Sequence, residues 1–174
     1  MRARQCGQEV RFIFAMAAAG LGCLAFGTLV SPSPRFIWNV TASAPVGLYR
    51  LIPEIDLHKA DLVLVRTPES VRELADRRGY LPRTVPMVKR IVALVGGHIC
   101  AQGREIFIDG KLVAIRLKSD RAGRPLPAWT GCRMLRTDEI FLLMKDVPDS
   151  FDGRYFGPVE ASSIIGRLIP VWTR

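Results

Sequence analysis

The stretch MVKRIVALVG, residues 87 to 96, places a lysine inside a run of apolar and β-branched residues. Such a run is typical of a buried β-strand. Side chains alternate between the two faces of a strand, so Lys89 and Arg90 point to opposite sides, and one of them must face inward or into a cleft. The pattern leaves two interpretations open, a desolvated Lys89 or an ordinary exposed strand lysine.

Four further stretches predict strands around this one, and they fix the fold class. A helix is predicted at 68–78, which has a proline at its start and a glycine just past its end. Residues 119–133 are predicted to form a loop because they are rich in Gly and Pro. We expect a mostly β, antiparallel domain with one short helical insert. The four stretches are DLVLVR (61–66), REIFIDGKLVAIRL (104–117, with the hairpin signal Asp109-Gly110), EIFLLMK (139–145) and SIIGRLIPVW (163–172).

The N-terminal region contains a candidate membrane anchor. Residues 12–30, FIFAMAAAGLGCLAFGTLV, hold no charged side chain over 19 positions. A helix of this length spans about 28 Å, close to the thickness of a bilayer core. The prolines in SPSP (31–34) end it. Arg2, Arg4 and Arg11 precede it, so the positive-inside rule predicts a cytoplasmic N-terminus and an exported C-terminal part.

The expected organisation is therefore a cytoplasmic tail (1–11), one transmembrane anchor (12–30) and an exported domain (31–174). A cleaved signal peptide is the main alternative, but no A-x-A site closes the run before Ser31. A lipid-modified Cys23 is a further alternative, although GLGC lacks an aliphatic residue three positions before the cysteine.

The basic charge of the chain does not indicate nucleic-acid binding. Lys and Arg number 25 against 16 Asp and Glu, which gives a formal net charge of +9. The basic residues are scattered, and no zinc-finger, helix-turn-helix or RNP pattern is present. We expect a solvated surface that faces the lipid bilayer, and no nucleic-acid partner.

The predicted topology places the four cysteines in different compartments. Cys6 and Cys23 fall in the cytoplasm and the membrane, where thiols stay reduced. Cys100 and Cys132 fall in the exported part, where one disulfide is the simplest expectation. Two buried thiols are the alternative.

Few classes of catalytic chemistry are compatible with the residues present. His58 and His98 are the two histidines, and neither lies near a G-x-S-x-G motif or at metal-ligand spacing. No phosphate-binding glycine loop occurs, so no metal and no cofactor are expected. A serine nucleophile without histidine requires another base, and a lysine serves when burial or nearby cations remove its proton. Lys89 meets that requirement.

A polar and aromatic stretch, DSFDGRYFGPV (149–159), supplies possible partners for that lysine. If the stretch is extended, Ser150, Asp152 and Arg154 share one face. Asp152 and Arg154 could then pair, and the Ser150 hydroxyl could hold a neutral amine. A plain polar turn is the alternative.

Three blocks in order behind the apolar run resemble the type I signal peptidases, most closely their conjugative-transfer branch, the TraF-type pilin-maturation peptidases. NVTASAPVGLY (39–49) is similar to the N-x-T-x-S-x-P-x-G-L-Y block of that branch. KRIVALVGGH (89–98) is similar to K-R-V-x-x-x-P-G-D, from which it departs at Val95 and His98. SFDGRYFG (150–157) is similar to S-x-D-S-R-Y-W-G.

The resemblance implies a signal-peptidase-like fold and a Ser/Lys catalytic dyad. It assigns Ser43 as the nucleophile and Lys89 as the general base. The backbone N–H of Ser43 and the Thr41 hydroxyl are implied as the oxyanion donors.

The third block is implied to support the dyad, with Ser150 orienting the lysine and Asp152 and Arg154 forming a structural ion pair. The implied activity is cleavage of a membrane-bound, pilin-like precursor protein, either by hydrolysis or with cyclisation by the precursor's own amine. The segment between Val30 and Ser43 reaches at most ~40 Å, which would keep the serine near the membrane. Two other interpretations remain open, a non-catalytic membrane-tethered scaffold of a conjugation assembly and a self-cleaving Ser-Lys regulator.

Overall fold

The structure is a computed structural model that describes residues 14–22, 35–53 and 56–174. The chain divides into two units, Met1–Pro34 and Arg35–Arg174. In the first unit, residues 14–22 form helix α1. No helix within the described ranges is both long enough and apolar enough to cross a membrane. The predicted anchor at 12–30 extends beyond the described residues at both ends, so it stays a prediction.

The second unit is a mostly β domain in which every paired strand runs antiparallel, as expected. Two short helices and one 3₁₀ turn (Ala161–Ser163) interrupt the strands. In chain order the elements are β1 (Phe36–Asn39), β2 (Gly47–Ile52), β3 (Leu62–Val65), α2 (Glu69–Arg77), β4 (Met87–Ala93), β5 (His98–Gln102), β6 (Glu105–Ile108), β7 (Lys111–Ile115), β8 (Gly131–Met134), β9 (Glu139–Leu142), α3 (Gly153–Phe156), β10 (Val159–Glu160) and β11 (Ile164–Thr173).

Seven of the strands form one sheet in the order β1-β2-β11-β3-β4-β9-β10. The last strand of the chain, β11, therefore lies between β2 and β3 and joins the two halves of the sheet. Strand β3 is buried along its whole length, with Leu62 and Leu64 in one apolar cluster and Val63 and Val65 in another. A strand covered on both faces needs an uninterrupted apolar sequence, which explains the run LVLV.

The other four strands form a smaller sheet in the order β7-β6-β5-β8. The predicted hairpin is present: Asp109 and Gly110 both have positive φ, 50° and 75°, and connect β6 to β7. Two adjacent positive φ values favour Gly and Asp in tight hairpin turns. A third apolar cluster, which includes Ile99, Ile106 and Phe141, packs between this sheet and β9.

The loop prediction for residues 119–133 is wrong at its C-terminal end. Residues Gly131–Met134 form β8, which pairs with β5 and places Cys132 directly opposite Cys100. All four residues of β8 are exposed, so the strand has no hydrophobic alternation and is held by its partner strand instead. A disulfide joins Cys100 to Cys132 across the two strands.

The disulfide should be present in the unreduced protein and should contribute about 2–4 kcal/mol, because it closes a loop with a sequence separation of 32. Thiol labelling of the unreduced, denatured chain should modify Cys6 and Cys23 alone. Labelling of four cysteines would contradict the pairing, and Cys132→Ser should lower the midpoint of thermal unfolding.

Candidate active site

Ser43 lies in the loop that joins β1 to β2, and the two ends of this loop are paired in register, Asn39 with Gly47. At Gly47 the chain has φ 155°, and an added Cβ would lie 2.1 Å from the backbone oxygen of Trp172 on β11. Only glycine tolerates both conditions. The close approach of β11 therefore fixes the end of the loop that presents Ser43.

Two buried side chains stabilise this loop from its inner side by hydrogen bonds to its carbonyl groups. Asn39 Nδ2 lies 3.0 Å from the oxygens of Thr41 and Ala44 and 3.1 Å from that of Pro45. The Tyr49 hydroxyl donates to the same Pro45 oxygen over 2.6 Å. Because the carbonyl groups are engaged on the inside, the loop keeps one conformation without regular secondary structure.

The hydroxyl of Ser43 lies beside that of Thr41, with 3.2 Å between the two oxygens. Thr41 in turn donates its hydroxyl proton to Asn39 Oδ1 over 2.8 Å. Among the described residues, the backbone N–H of Ser43 has no hydrogen-bond acceptor. Of the two predicted oxyanion donors, the Ser43 amide is thus free, and the Thr41 hydroxyl is engaged with Asn39.

Lys89 lies in the middle of β4, where its side chain is 4% exposed. It shares a face of the strand with Met87 and Ile91 and lies opposite Val63 of β3, all of which are buried. Arg90 is exposed on the other face and donates to the Ala60 carbonyl. Of the two interpretations that the sequence left open, the structure therefore contains the desolvated lysine.

Burial lowers the pKa of Lys89 from 10.5 to about 8, because the charged ammonium loses its hydration. The nearby Asp152 carboxylate opposes this shift, and Arg154 adds to it. The amine Nζ is 2.8 Å from the hydroxyl of Ser150, which fixes its direction.

A buried ion pair supports the turn that carries Ser150. Asp152 and Arg154 have side-chain exposures of 0% and 1% and form a bidentate contact, Nε to Oδ1 at 2.8 Å and Nη2 to Oδ2 at 3.0 Å. Arg154 also donates to the carbonyls of Met144, Val147 and Pro148. These three carbonyls belong to the segment that leads into Ser150, so the guanidinium holds that segment in place.

The block is not extended, although its residues do come together. Asp152 is the N-cap of α3, and its carboxylate accepts from the backbone N–H of Arg154 at 3.2 Å. Gly153 packs so close to β9 that an added Cβ would lie 2.5 Å from the Leu142 oxygen. A capped helical turn, rather than a strand, therefore determines the geometry of the ion pair.

Ser43, Lys89 and Ser150 line one cleft of about 580 Å³, together with Thr41 and the aromatic ring of Phe151. Within the described residues, Ser43 Oγ and Lys89 Nζ are not bonded to each other, and each contacts another hydroxyl, that of Thr41 and that of Ser150 respectively. Within the described part of the chain, no group of three or more His, Cys, Asp or Glu residues is placed to hold a metal ion. The cleft brings an activated amine and a serine hydroxyl to one surface, which is the requirement for amine-assisted attack on a carbonyl.

Comparison with known proteins identifies the family to which this chain belongs. A family model described as "Signal peptidase, peptidase S26" matches residues 8–173. The chain belongs to the signal peptidase S26 family, as the sequence blocks predicted.

Within that family, the similar proteins include relatives named for conjugation. The plasmid transfer protein TraF of Escherichia coli is 38% identical over 146 residues, which covers 78% of this chain and 81% of that protein. The probable conjugal transfer protein TraF of Sinorhizobium fredii is 35% identical over 147 residues, which covers 78% and 76%. A solved signal peptidase I of Enterococcus faecalis aligns with a TM-score of 0.40 at 18% identity, over 66% of this chain and 98% of that one.

The sequence interpretation missed Asn39 as an organiser of the site. The available signal was an Asn two residues before Thr41, since Asn side chains bond to nearby backbone and stabilise turns. The bond from Tyr49 to the Pro45 carbonyl, which holds the loop without reaching Ser43 or Thr41, could not be predicted either, because a buried phenol has no sequence signature of its own.

Asp152→Ala should destabilise the protein by about 3–5 kcal/mol, because it leaves the buried Arg154 guanidinium without its counter-charge. Chemical denaturation followed by circular dichroism measures this change. The matched control is Asp149→Ala, which breaks the exposed Arg121–Asp149 pair three residues away and should change stability far less. Equal losses of stability for the two variants would show that the buried pair contributes no more to the free energy of unfolding than the exposed pair.

Proposed function

We propose that this chain is a serine endopeptidase with a Ser43–Lys89 dyad that cleaves exported precursor proteins. The observation that carries the proposal is the buried Lys89, whose pKa is lowered to about 8 in the cleft that also presents Ser43. Family membership supports peptidase chemistry. A non-catalytic scaffold would have no need of a desolvated lysine amine in the cleft that presents Ser43.

In the first half of the reaction, neutral Lys89 takes the proton of Ser43 while Ser43 Oγ forms a bond to the scissile carbonyl carbon. The carbonyl electron pair moves to oxygen, and the backbone N–H of Ser43 donates to that oxyanion. As the C–N bond breaks, protonated Lys89 gives its proton to the leaving amine. Water or another amine then attacks the acyl-enzyme, with Lys89 again as the base.

The substrate we propose is a membrane-bound precursor of a conjugation apparatus, pilin-like in kind. The similar proteins named as plasmid and conjugal transfer proteins support this substrate class. The apolar run at 12–30 and the arginines before it support an inner-membrane anchor with the catalytic domain in the periplasm. Hydrolysis and cyclisation of the product differ by one water, so mass spectrometry of the processed precursor separates them.

Ser43→Ala and Lys89→Ala should each abolish processing of a co-expressed precursor while the chain still folds. Lys89→Arg should fail as well, because a guanidinium stays protonated and cannot accept the serine proton. Immunoblotting of precursor and product measures the effect. Lys59→Ala, which changes an exposed lysine outside the cleft, is the matched control and should process normally. Processing by Lys89→Arg would refute the general-base role.

The processing rate should rise with pH through about 8 and then level off, because only the neutral Lys89 amine is a base. Initial rates of purified enzyme over a pH series measure this. A rate that is flat from pH 6 to 10 would exclude Lys89 as the titrating base.

The stability of the folded protein should also depend on the protonation of Lys89. Between pH values of about 8 and 10.5 the unfolded lysine binds a proton that the folded one has lost, so the folded state gains stability as pH rises. Below about pH 8 both states are protonated, and the full cost of the buried charge remains, about 3 kcal/mol. Lys89→Met should lose this pH dependence, as measured by denaturant unfolding at the two ends of the window.

A further inference from the structure

The two ends of the Asn39 side-chain amide face different kinds of group: the nitrogen faces acceptors and the oxygen faces donors. Its Nδ2 faces three carbonyl oxygens, whereas its Oδ1 lies 3.1 Å from the Thr41 backbone nitrogen and 2.8 Å from the Thr41 hydroxyl. An amide nitrogen only donates and an amide oxygen only accepts. The orientation of this amide is therefore determined by its surroundings.

This orientation determines the direction of the protons around Ser43. Asn39 Oδ1 has no proton to give, so the single hydroxyl proton of Thr41 must point to it. In the 3.2 Å contact between the two hydroxyls, Ser43 must then be the donor. Before substrate binds, the proton of the nucleophile is directed at Thr41, and Thr41 is held as its acceptor.

We propose that Asn39 is a positioning residue for peptide cleavage that acts through the Thr41 hydroxyl, a role that rests on the proposed function. When Ser43 transfers its proton to Lys89 and bonds to the carbonyl carbon, it stops donating to Thr41. The new oxyanion is a charged acceptor that competes with the neutral oxygen of Asn39 for the Thr41 proton.

Charge-assisted hydrogen bonds are roughly twice as strong as neutral ones, so the Thr41 proton moves to the oxyanion as the negative charge develops. A bond that forms only in the transition state raises kcat and leaves substrate binding unchanged. Asn39 contributes by holding Thr41 next to Ser43 until that moment. Its three bonds to loop carbonyls hold the loop that carries Ser43.

The test is a double-mutant cycle on the steady-state cleavage of a precursor-derived peptide by the full chain in detergent. Asn39→Ala should lower kcat about 10- to 100-fold, as a misplaced catalytic donor does, with KM changed by less than about twofold. Thr41→Val, which removes the hydroxyl and keeps the shape, should lower kcat by a similar or larger factor. The double variant should be no slower than Thr41→Val, and Thr41→Ser should retain most of the wild-type kcat. Additive losses in the double variant would overturn the proposal.

Tyr49→Phe is the matched control, because it removes another bond that fastens the same loop but does not touch Thr41. It should lower the unfolding temperature with kcat close to that of the wild type. A loss of kcat as large as that of Asn39→Ala would assign the effect to loop fastening and overturn the role through Thr41.

Two further outcomes separate this role from the proposed function. A wild-type chain that cleaves no precursor overturns both, whereas an active wild type with a fully active Asn39→Ala overturns this role alone. If Asn39→Ala does not fold, Asn39→Ser, which keeps one polar group at the position, takes its place in the cycle.

Discussion

The removal of Lys89 from water is the constraint on which the rest of the site depends. A lysine becomes a base near neutral pH only when its charged form is disfavoured, and burial on β4 provides this, with the pKa lowered to about 8. A carboxylate nearby works in the opposite direction, and Asp152 does raise the pKa of Lys89. Its bidentate partner Arg154 opposes that effect while it completes the pair. The ion pair can therefore hold the Ser150 turn without returning the proton to the lysine.

The three parts of the site come from distant segments of the chain, and the large sheet brings them together. The Ser43 loop follows β1, Lys89 lies on β4, and Ser150 precedes α3. Strand β11 makes the arrangement possible, because it inserts between β2 and β3 and locks Gly47 at the end of the serine loop. Three of the sheet's pairings, β2 with β11, β3 with β11 and β4 with β9, join strands far apart in the sequence, so formation of the site depends on non-local contacts.

Local patterns account for the parts of the fold that the sequence predicted. The buried strands β3 and β4 and the hairpin at Asp109-Gly110 have apolar runs or turn residues that identify them directly. Strand β8 has neither, since its residues are exposed and its position depends on β5 and the disulfide. The same distinction holds in the site. A buried lysine could be suspected from its neighbours in sequence, but the cap geometry at Asp152 depends on the packing of Gly153 against β9, which no local pattern records.

In the cleft, the nucleophile and the base each have another hydroxyl as partner: Ser43 contacts Thr41, and Lys89 contacts Ser150. A neutral Lys89 amine that donates to Ser150 still has its lone pair, which can accept the proton of Ser43. Ser43 donates to Thr41 instead, and a change of one staggered side-chain rotamer is the movement that redirects a serine hydroxyl. Such rotations of incompletely buried side chains take picoseconds to nanoseconds, far less than a catalytic cycle. Freeing the Ser43 proton for Lys89 therefore begins with a side-chain rotation, while β4 fixes the backbone of Lys89 and the bonds from Asn39 and Tyr49 fix the loop of Ser43.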